Sequence, residues 1–240
     1  MSVTILSPLT MIKLEPDMGR LIRWAARQGL IARRGEDDLG YPLHALMAAV
    51  FGKEAAPKPF VLLQEPRRPA ALLAYSNEAG DALRRLAQAT AEPDAAEAIG
   101  LDGLSAKAMP ESWAAGQRFG FRVRVRPVRR TDRDGDRRRA REVDAALLEQ
   151  DRPKAEVYET WLRAHVAGAE IEQASLEAFR LSDVRRRDGE RSLVRQRGPD
   201  ATFVGTLRVT DGPAFAATLA RGVGRHRAFG FGMLLLRPGG

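Results

Sequence analysis

Apolar side chains recur along the chain with two different periods, and the changes between them mark its elements. From 3 to 14 the β-branched and apolar residues Val3, Ile5, Leu6, Ile12 and Leu14 predict a first strand. Asp17 can cap a helix that carries Met18, Leu21, Ile22 and Ala25 on one side. The charged stretch from Ala32 to Gly40 reads as a loop. A second helix begins around Pro42, where a fixed φ suits the first turn, and runs to Phe51. Phe60–Gln64 and Ala70–Tyr75 read as strands paired across a Pro66–Pro69 turn, Glu78–Thr90 as a helix and Leu101–Met109 as a closing strand. The order β-α-β-β-α-β is the ferredoxin-like pattern.

The second half repeats that order. Phe119, Phe121, Val123 and Val125 alternate with Gly120, Arg122, Arg124 and Arg126, the period of two of a half-buried strand, and Pro127 marks its end. Thr131–Arg139 is a loop rich in Asp and Arg. Val157, Trp161 and Leu162 mark a helix. Ala174–Arg186 and Ser192–Val209 form a hairpin turned at Asp188-Gly189. Pro213–Arg221 is a short helix and Phe231–Arg237 a last strand. The fold class is therefore α+β, with two tandem ferredoxin-like domains, 1–113 and 118–240, joined near Pro110–Gln117.

Charge changes the picture more than size does. The chain of 240 residues has 39 Lys and Arg against 31 Asp and Glu, and its base is nearly all arginine. Between Arg118 and Arg141 there are eleven Arg against three Asp. A second knot joins Arg185, Arg186 and Arg187. The planar fork of guanidinium suits phosphate, although a solvated arginine surface has the same composition. No apolar run approaches the ~20 residues of a membrane span, and no signal peptide is read at the start. The absence of cysteine excludes disulfides and thiolate metal sites and suits the cytoplasm.

Three features can carry chemistry. Arg118, Arg122, Arg124 and Arg126 are expected to project from one sheet face, with Arg129 and Arg130 beyond. Such a face repels itself unless an anion lies across it. Lacking paired aromatics for stacking bases, it is expected to contact phosphate and shape. Reversing Arg122 and Arg124 to Glu is expected to weaken RNA affinity and spare the fold. The second feature is a glycine-rich segment with Gly222, Gly224, Gly230 and Gly232 enclosing Arg225, His226 and Arg227. Glycine allows positive φ and close approach, so amides and guanidinium can surround phosphate, and His226 is placed to touch it. The third is histidine. His44 lies roughly 110° from the centre of the stripe Leu43, Leu46, Met47 and Val50, on its border, with Tyr41 one turn before it. His165 has no companion and reads as surface. No acidic or histidine grouping has metal-ligand spacing. Histidine, tyrosine and arginine suffice for RNA, whose own 2′-OH is the nucleophile.

The segment GVGRHRAFGFGMLLLRP resembles the glycine-rich loop and last strand of CasE, the endoribonuclease family of type I-E CRISPR complexes. FGFRVRVRPVRR is similar to that family's central basic strand, VYETWLRAH to its helix with a Trp-Leu pair, and YPLHALMAAVFG to the helix with the catalytic histidine. FVLLQE stands where the next strand belongs. The matches come in family order over almost the whole chain. The resemblance implies tandem ferredoxin-like domains of the repeat-associated type. It also implies metal-independent cleavage of precursor CRISPR RNA at the base of each repeat hairpin, without cofactors, leaving a 2′,3′-cyclic phosphate. It further implies that the protein keeps hold of the hairpin and joins the other subunits of a surveillance complex. His44 takes the catalytic position, with Tyr41 its helper. Arg118, Arg122, Arg124, Arg126, Arg129, Arg130, Arg185, Arg186, Arg187, Gly224, Arg225, His226, Arg227, Gly230 and Gly232 are expected on RNA. The alternative is a subunit that grips structured RNA without cutting it.

Overall fold

The computed structural model describes residues 9–31, 39–131, 141–188 and 192–238, with backbone alone for 185–188 and 192–195. In the first half the chain runs β1 (Thr10–Leu14), α1 (Met18–Arg27), α2 (Gly40–Phe51), β2 (Phe60–Leu63), β3 (Ala71–Ser76), α3 (Gly80–Thr90), α4 (Pro93–Ile99) and β4 (Ser105–Ala108). The second half runs β5 (Arg118–Val125), β6 (Val128–Thr131), β7 (Arg141–Asp144), α5 (Lys154–His165), β8 (Ala169–Asp188), β9 (Ser192–Val209), α6 (Gly212–Arg221) and β10 (Leu235–Pro238). The strand orders β2-β3-β1-β4 and β10-β5-β9-β8, antiparallel throughout, both place the first and third strands in the centre. That is the ferredoxin-like order twice over.

Local chemistry accounts for most of these elements. Asp17 caps α1 by accepting the Arg20 amide at 2.9 Å, and Leu21, Trp24 and Ala25 turn inward. Ile22, expected with them, faces water at 46% exposure, because it lies 100° round the helix from Leu21. The second helix starts at Gly40, two residues before Pro42, and buries Leu43, Leu46, Met47 and Val50 as its stripe predicts. Each such side chain contributes about 1.5–3 kcal/mol on burial. Helix α4 went unpredicted because PDAAEAI has too few large apolar residues to show a period. Proline in its first turn and left-handed Gly100 after its end define it. The expected strand 101–109 divides into a 3₁₀ turn, Leu101–Gly103, and β4.

In the second half, the paired strands β6 and β7 flank the expected loop, whose residues 132–139 lie outside the described residues. So do 3–8 of the expected first strand, most of the 32–40 loop and the Gly189 turn. Strand β8 starts five residues before Ala174, and β10 begins four after Phe231. Trp113 packs its ring 5.3 Å from Phe119 and 5.2 Å from Phe215.

Two cores result, and the first sheet serves both. Its residues Ile12, Leu14, Leu72 and Ala74 pack under α1 to α4. From its other face Met11, Val61, Leu73 and Tyr75 join the core of the second half, with Phe203, Phe215, Met233 and Leu234. There the buried Tyr75 hydroxyl donates to the carbonyl of Leu234 at 3.0 Å. This packing seats α2 beside the glycine-rich segment between α6 and β10. Among the described residues, no helix is long and apolar enough to cross a membrane.

Candidate functional site

Tyr41 and His44 occupy the first turns of α2, one turn apart, and both are half-buried. A 3₁₀ turn of the glycine-rich loop, Arg227–Phe229, lies against them. The ring of Phe229 sits 6.0 Å from Tyr41, 5.7 Å from His44, edge to face, and 6.1 Å from His226. His44 is thus neither sealed in the core nor remote from the loop's arginines. Burial first, and the charge of Lys58 second, hold its imidazole below the ordinary value of 6.5. At neutral pH the ring is uncharged and can accept a proton.

The loop bends through left-handed residues, and at two of them the protein itself fills the space. A Cβ on Gly224 would stand 2.4 Å from the Trp161 ring, and one on Gly232 would stand 2.4 Å from the carbonyl of Val223. The amide of Gly232 donates to the carbonyl of Arg124 at 2.7 Å, and Gly230 and Gly232 are buried. Gly232 is thereby seated on the sheet, while Gly230, also expected on phosphate, lines a cleft beside Arg122 and Arg124. The side chains that the loop presents outward are Arg225, His226, Arg227 and Phe229.

These line one wall of a cleft. Lys58 and Asn77 come from the first half, Arg130, Arg141 and Glu142 from the β6–β7 hairpin, Gln196 from β9, and Arg221 from the end of α6. Six cationic side chains thus meet one carboxylate among the described residues of the lining. That carboxylate accepts from Arg225 at 2.5 Å and from Gln196 at 3.0 Å, and its Oε2 lies 2.7 Å from Nε2 of His226. Burial works against ionisation of Glu142, but the His226 hydrogen bond and the charges of His226 and Arg225 outweigh it. They hold the carboxyl down at about 2. Arg227 donates to the carbonyl of Arg221, closing the end of α6.

The arginine face of β5 differs from its expected form in two ways. Arg126 shares the parity of Arg122 and Arg124 but is only 1% exposed, donating to the carbonyls of Ser182 and Gln196 inside the β8–β9 hairpin. It is removed from any RNA surface because β5 ends at Val125 and the chain bends toward Pro127, so the alternation no longer applies. The anions that such a face requires are supplied by the neighbouring strands. Arg118 pairs with Glu172, Arg122 with Glu177, and Arg124 with Asp200 through two hydrogen bonds of 2.8 and 2.7 Å. Arg129 likewise pairs with Glu149. The exposed pairs are worth about 0–1 kcal/mol, little enough for a phosphate to exchange with them. Asp200 is different, being 4% exposed and shared with Arg180, while Arg124 also lies 4.3 Å over the Phe231 ring.

Arg122 and Arg124 open onto a second cleft on the other side of the loop, walled by Leu39, Leu43, Phe60, Leu62, Phe179 and Leu181. Of the residues expected on RNA, Arg130, Gly224, Arg225, His226 and Arg227 line the first cleft and Arg122, Arg124 and Gly230 the second, while Arg118, Arg129 and Gly232 line neither. Arg185, Arg186 and Arg187 continue β8, and their side chains lie outside the described residues. His165 is exposed as expected but has a companion, stacking 3.9 Å from Trp161. Sequence reasoning missed Lys58, Glu142 and Phe229. Only Phe229, an aromatic inside the glycine-rich segment, carried a signal there. Among the described residues no group of three His, Asp or Glu is placed to hold a metal.

Two ferredoxin-like sheets thus carry a histidine helix set against a glycine-rich loop, with a basic cleft beside them. Residues 11–238 match the family model described as CRISPR associated protein, and the chain belongs to that family. Among solved structures, Thermus thermophilus Cse3 bound to an RNA representing a pre-cleavage complex is 20% identical. The match covers 96% of this chain and 100% of that one, with a TM-score of 0.62. Cas6e from Escherichia coli K-12 is 18% identical over 96% of this chain and 98% of that one, with a TM-score of 0.50. A chain of a CRISPR RNA-guided surveillance complex, pre-nicking, is 19% identical over 95% and 99%, with a TM-score of 0.57. No curated protein sequence matches.

Proposed function

We propose that this protein is an endoribonuclease that cuts precursor CRISPR RNA at the base of the repeat hairpin and stays bound as a subunit of a type I-E surveillance complex. The observation that carries the reading is a neutral, half-buried imidazole set between α2 and a loop whose arginines face a basic cleft. The RNA in the Cse3 structure and the assembly around the surveillance-complex chain support the same substrate and partners.

In this mechanism His44 takes the proton of a ribose 2′-OH, and the freed oxygen attacks the adjacent phosphorus. The new P–O2′ bond replaces P–O5′, leaving a 2′,3′-cyclic phosphate, and the departing 5′ oxygen takes a proton from water. Tyr41 orients the ribose, while Lys58 and the loop arginines offset the charge that builds on the phosphate. The substrate brings its own nucleophile, so no step requires a metal.

The test is a labelled repeat hairpin incubated in EDTA, with the product ends mapped. One cut at the hairpin base with a cyclic phosphate is the expected result. Binding without cutting would replace the enzyme with an RNA-gripping subunit.

The protonation state of His44 gives a second expected outcome. As the base, it works only when neutral, so the single-turnover rate falls as pH drops through its pKa. The rate is expected to follow a rising limb with its midpoint below 6.5. Lys58→Ala removes a neighbouring positive charge and moves that midpoint upward, toward 6.5. A midpoint that stays fixed in Lys58→Ala contradicts the assignment.

A further inference from the structure

We propose that Glu142 is a positioning residue that sets the glycine-rich loop for cleavage and, as the acidic group among the described residues of the cleft, also holds RNA affinity down. This rests on the endoribonuclease reading above. Three donors from two other segments converge on its carboxylate: Arg225 and His226 of the loop and Gln196 of β9. Glu142 and His226 are each 10% exposed, so this contact is sheltered from water, whereas Arg225 is 51% exposed.

The geometry makes the contact consequential. His226 has a φ of 59°, a conformation that a residue with a Cβ rarely adopts without being held. From His226 the chain enters the Arg227–Phe229 turn directly, closed by the Phe229 amide on the His226 carbonyl at 2.8 Å. Phe229 in turn lies edge to face with His44. A line of contacts therefore runs from Glu142 through His226 and Phe229 to the proposed base. The same carboxylate pairs with Arg225 and stands among the six cationic side chains of the cleft lining, where its charge repels phosphate.

Removing its charge should consequently act in opposite directions on binding and on chemistry. In Glu142→Gln, backbone hydrogen exchange across 222–232 of the free, full-length protein is expected to speed up by about tenfold. Affinity for a labelled repeat hairpin at low salt is expected to tighten by about twofold to fivefold, because a repulsion is lost and Arg225 is released. The single-turnover cleavage rate at saturating protein is expected to fall by about tenfold or more, because the loop no longer fixes the ring at His44. Arg225→Ala, which leaves Glu142 and His226 in contact, is expected to weaken affinity with a smaller effect on rate.

Unchanged exchange in Glu142→Gln, or an unchanged rate at saturation, overturns the proposal. So does a joint loss of affinity and rate, the mark of general structural damage. Wild-type protein that binds the hairpin but never cuts it would sink the enzyme reading instead. Glu142 is then judged by exchange and affinity alone, which must still move as stated.

Discussion

His44→Ala is expected to bind the repeat hairpin within about twofold of wild type and to cut it on the order of 10²–10⁴ times more slowly. The split follows from where the ring sits. Its edge meets Phe229, and it forms no part of the buried stripe of α2, so deleting it opens no large void. The cations proposed to grip phosphate belong to other elements, chiefly the loop and the β6–β7 hairpin, and are untouched. The measurement is a single-turnover time course in EDTA beside a filter-binding titration. Cleavage at the wild-type rate would remove His44 from the reaction, and loss of binding would make it a structural residue.

The second large effect is on stability. Arg124→Glu is expected to cost about 3–5 kcal/mol, because it leaves Asp200 buried, charged and facing a second carboxylate. Arg180 can offset part of this from its exposed position. For a chain of this size that loss lowers Tm by on the order of 10 °C. Arg122→Glu breaks only a half-exposed pair with Glu177 and should cost about 0–1 kcal/mol. Thermal or denaturant unfolding of the two variants separates them, and equal midpoints would contradict the buried-anchor role of Arg124. Weaker RNA binding in the doubly reversed variant would accordingly be ambiguous, because one of its two changes undermines the fold. Of the two reversals, only the one at Arg124 is therefore expected to damage the fold.

The contrast between these two arginines shows what a sequence can and cannot disclose. Alternation along 118–125 identified a strand and its inward residues correctly, because a strand's side chains obey a local rule. The same holds for the stripe of α2, whose spacing is equally local. What a local rule omits is the partner. Glu172, Glu177 and Asp200 reach the arginines from strands some 54–76 residues further on, so a face that looks uniformly basic in one dimension is largely neutralised in three. Arg126 was misplaced for a related reason, the alternation being carried one residue past the strand's end. Glu142 gave no sign, since an acidic residue beside the Arg/Asp-rich stretch resembles its solvated neighbours. His44 stood on the border of its helix in the sequence, and in the structure it is half-buried there with its ring against Phe229.

The sheet that serves two cores ties all of this together. Because Met11, Val61, Leu73 and Tyr75 are roofed by the second half, a fragment ending near Trp113 would present a greasy plane to solvent and tend to clump. The imidazole belongs to one half and most of the surrounding cations to the other. Transplanting either half onto a distant cousin would therefore need both mating surfaces rebuilt before the two sets of side chains could meet.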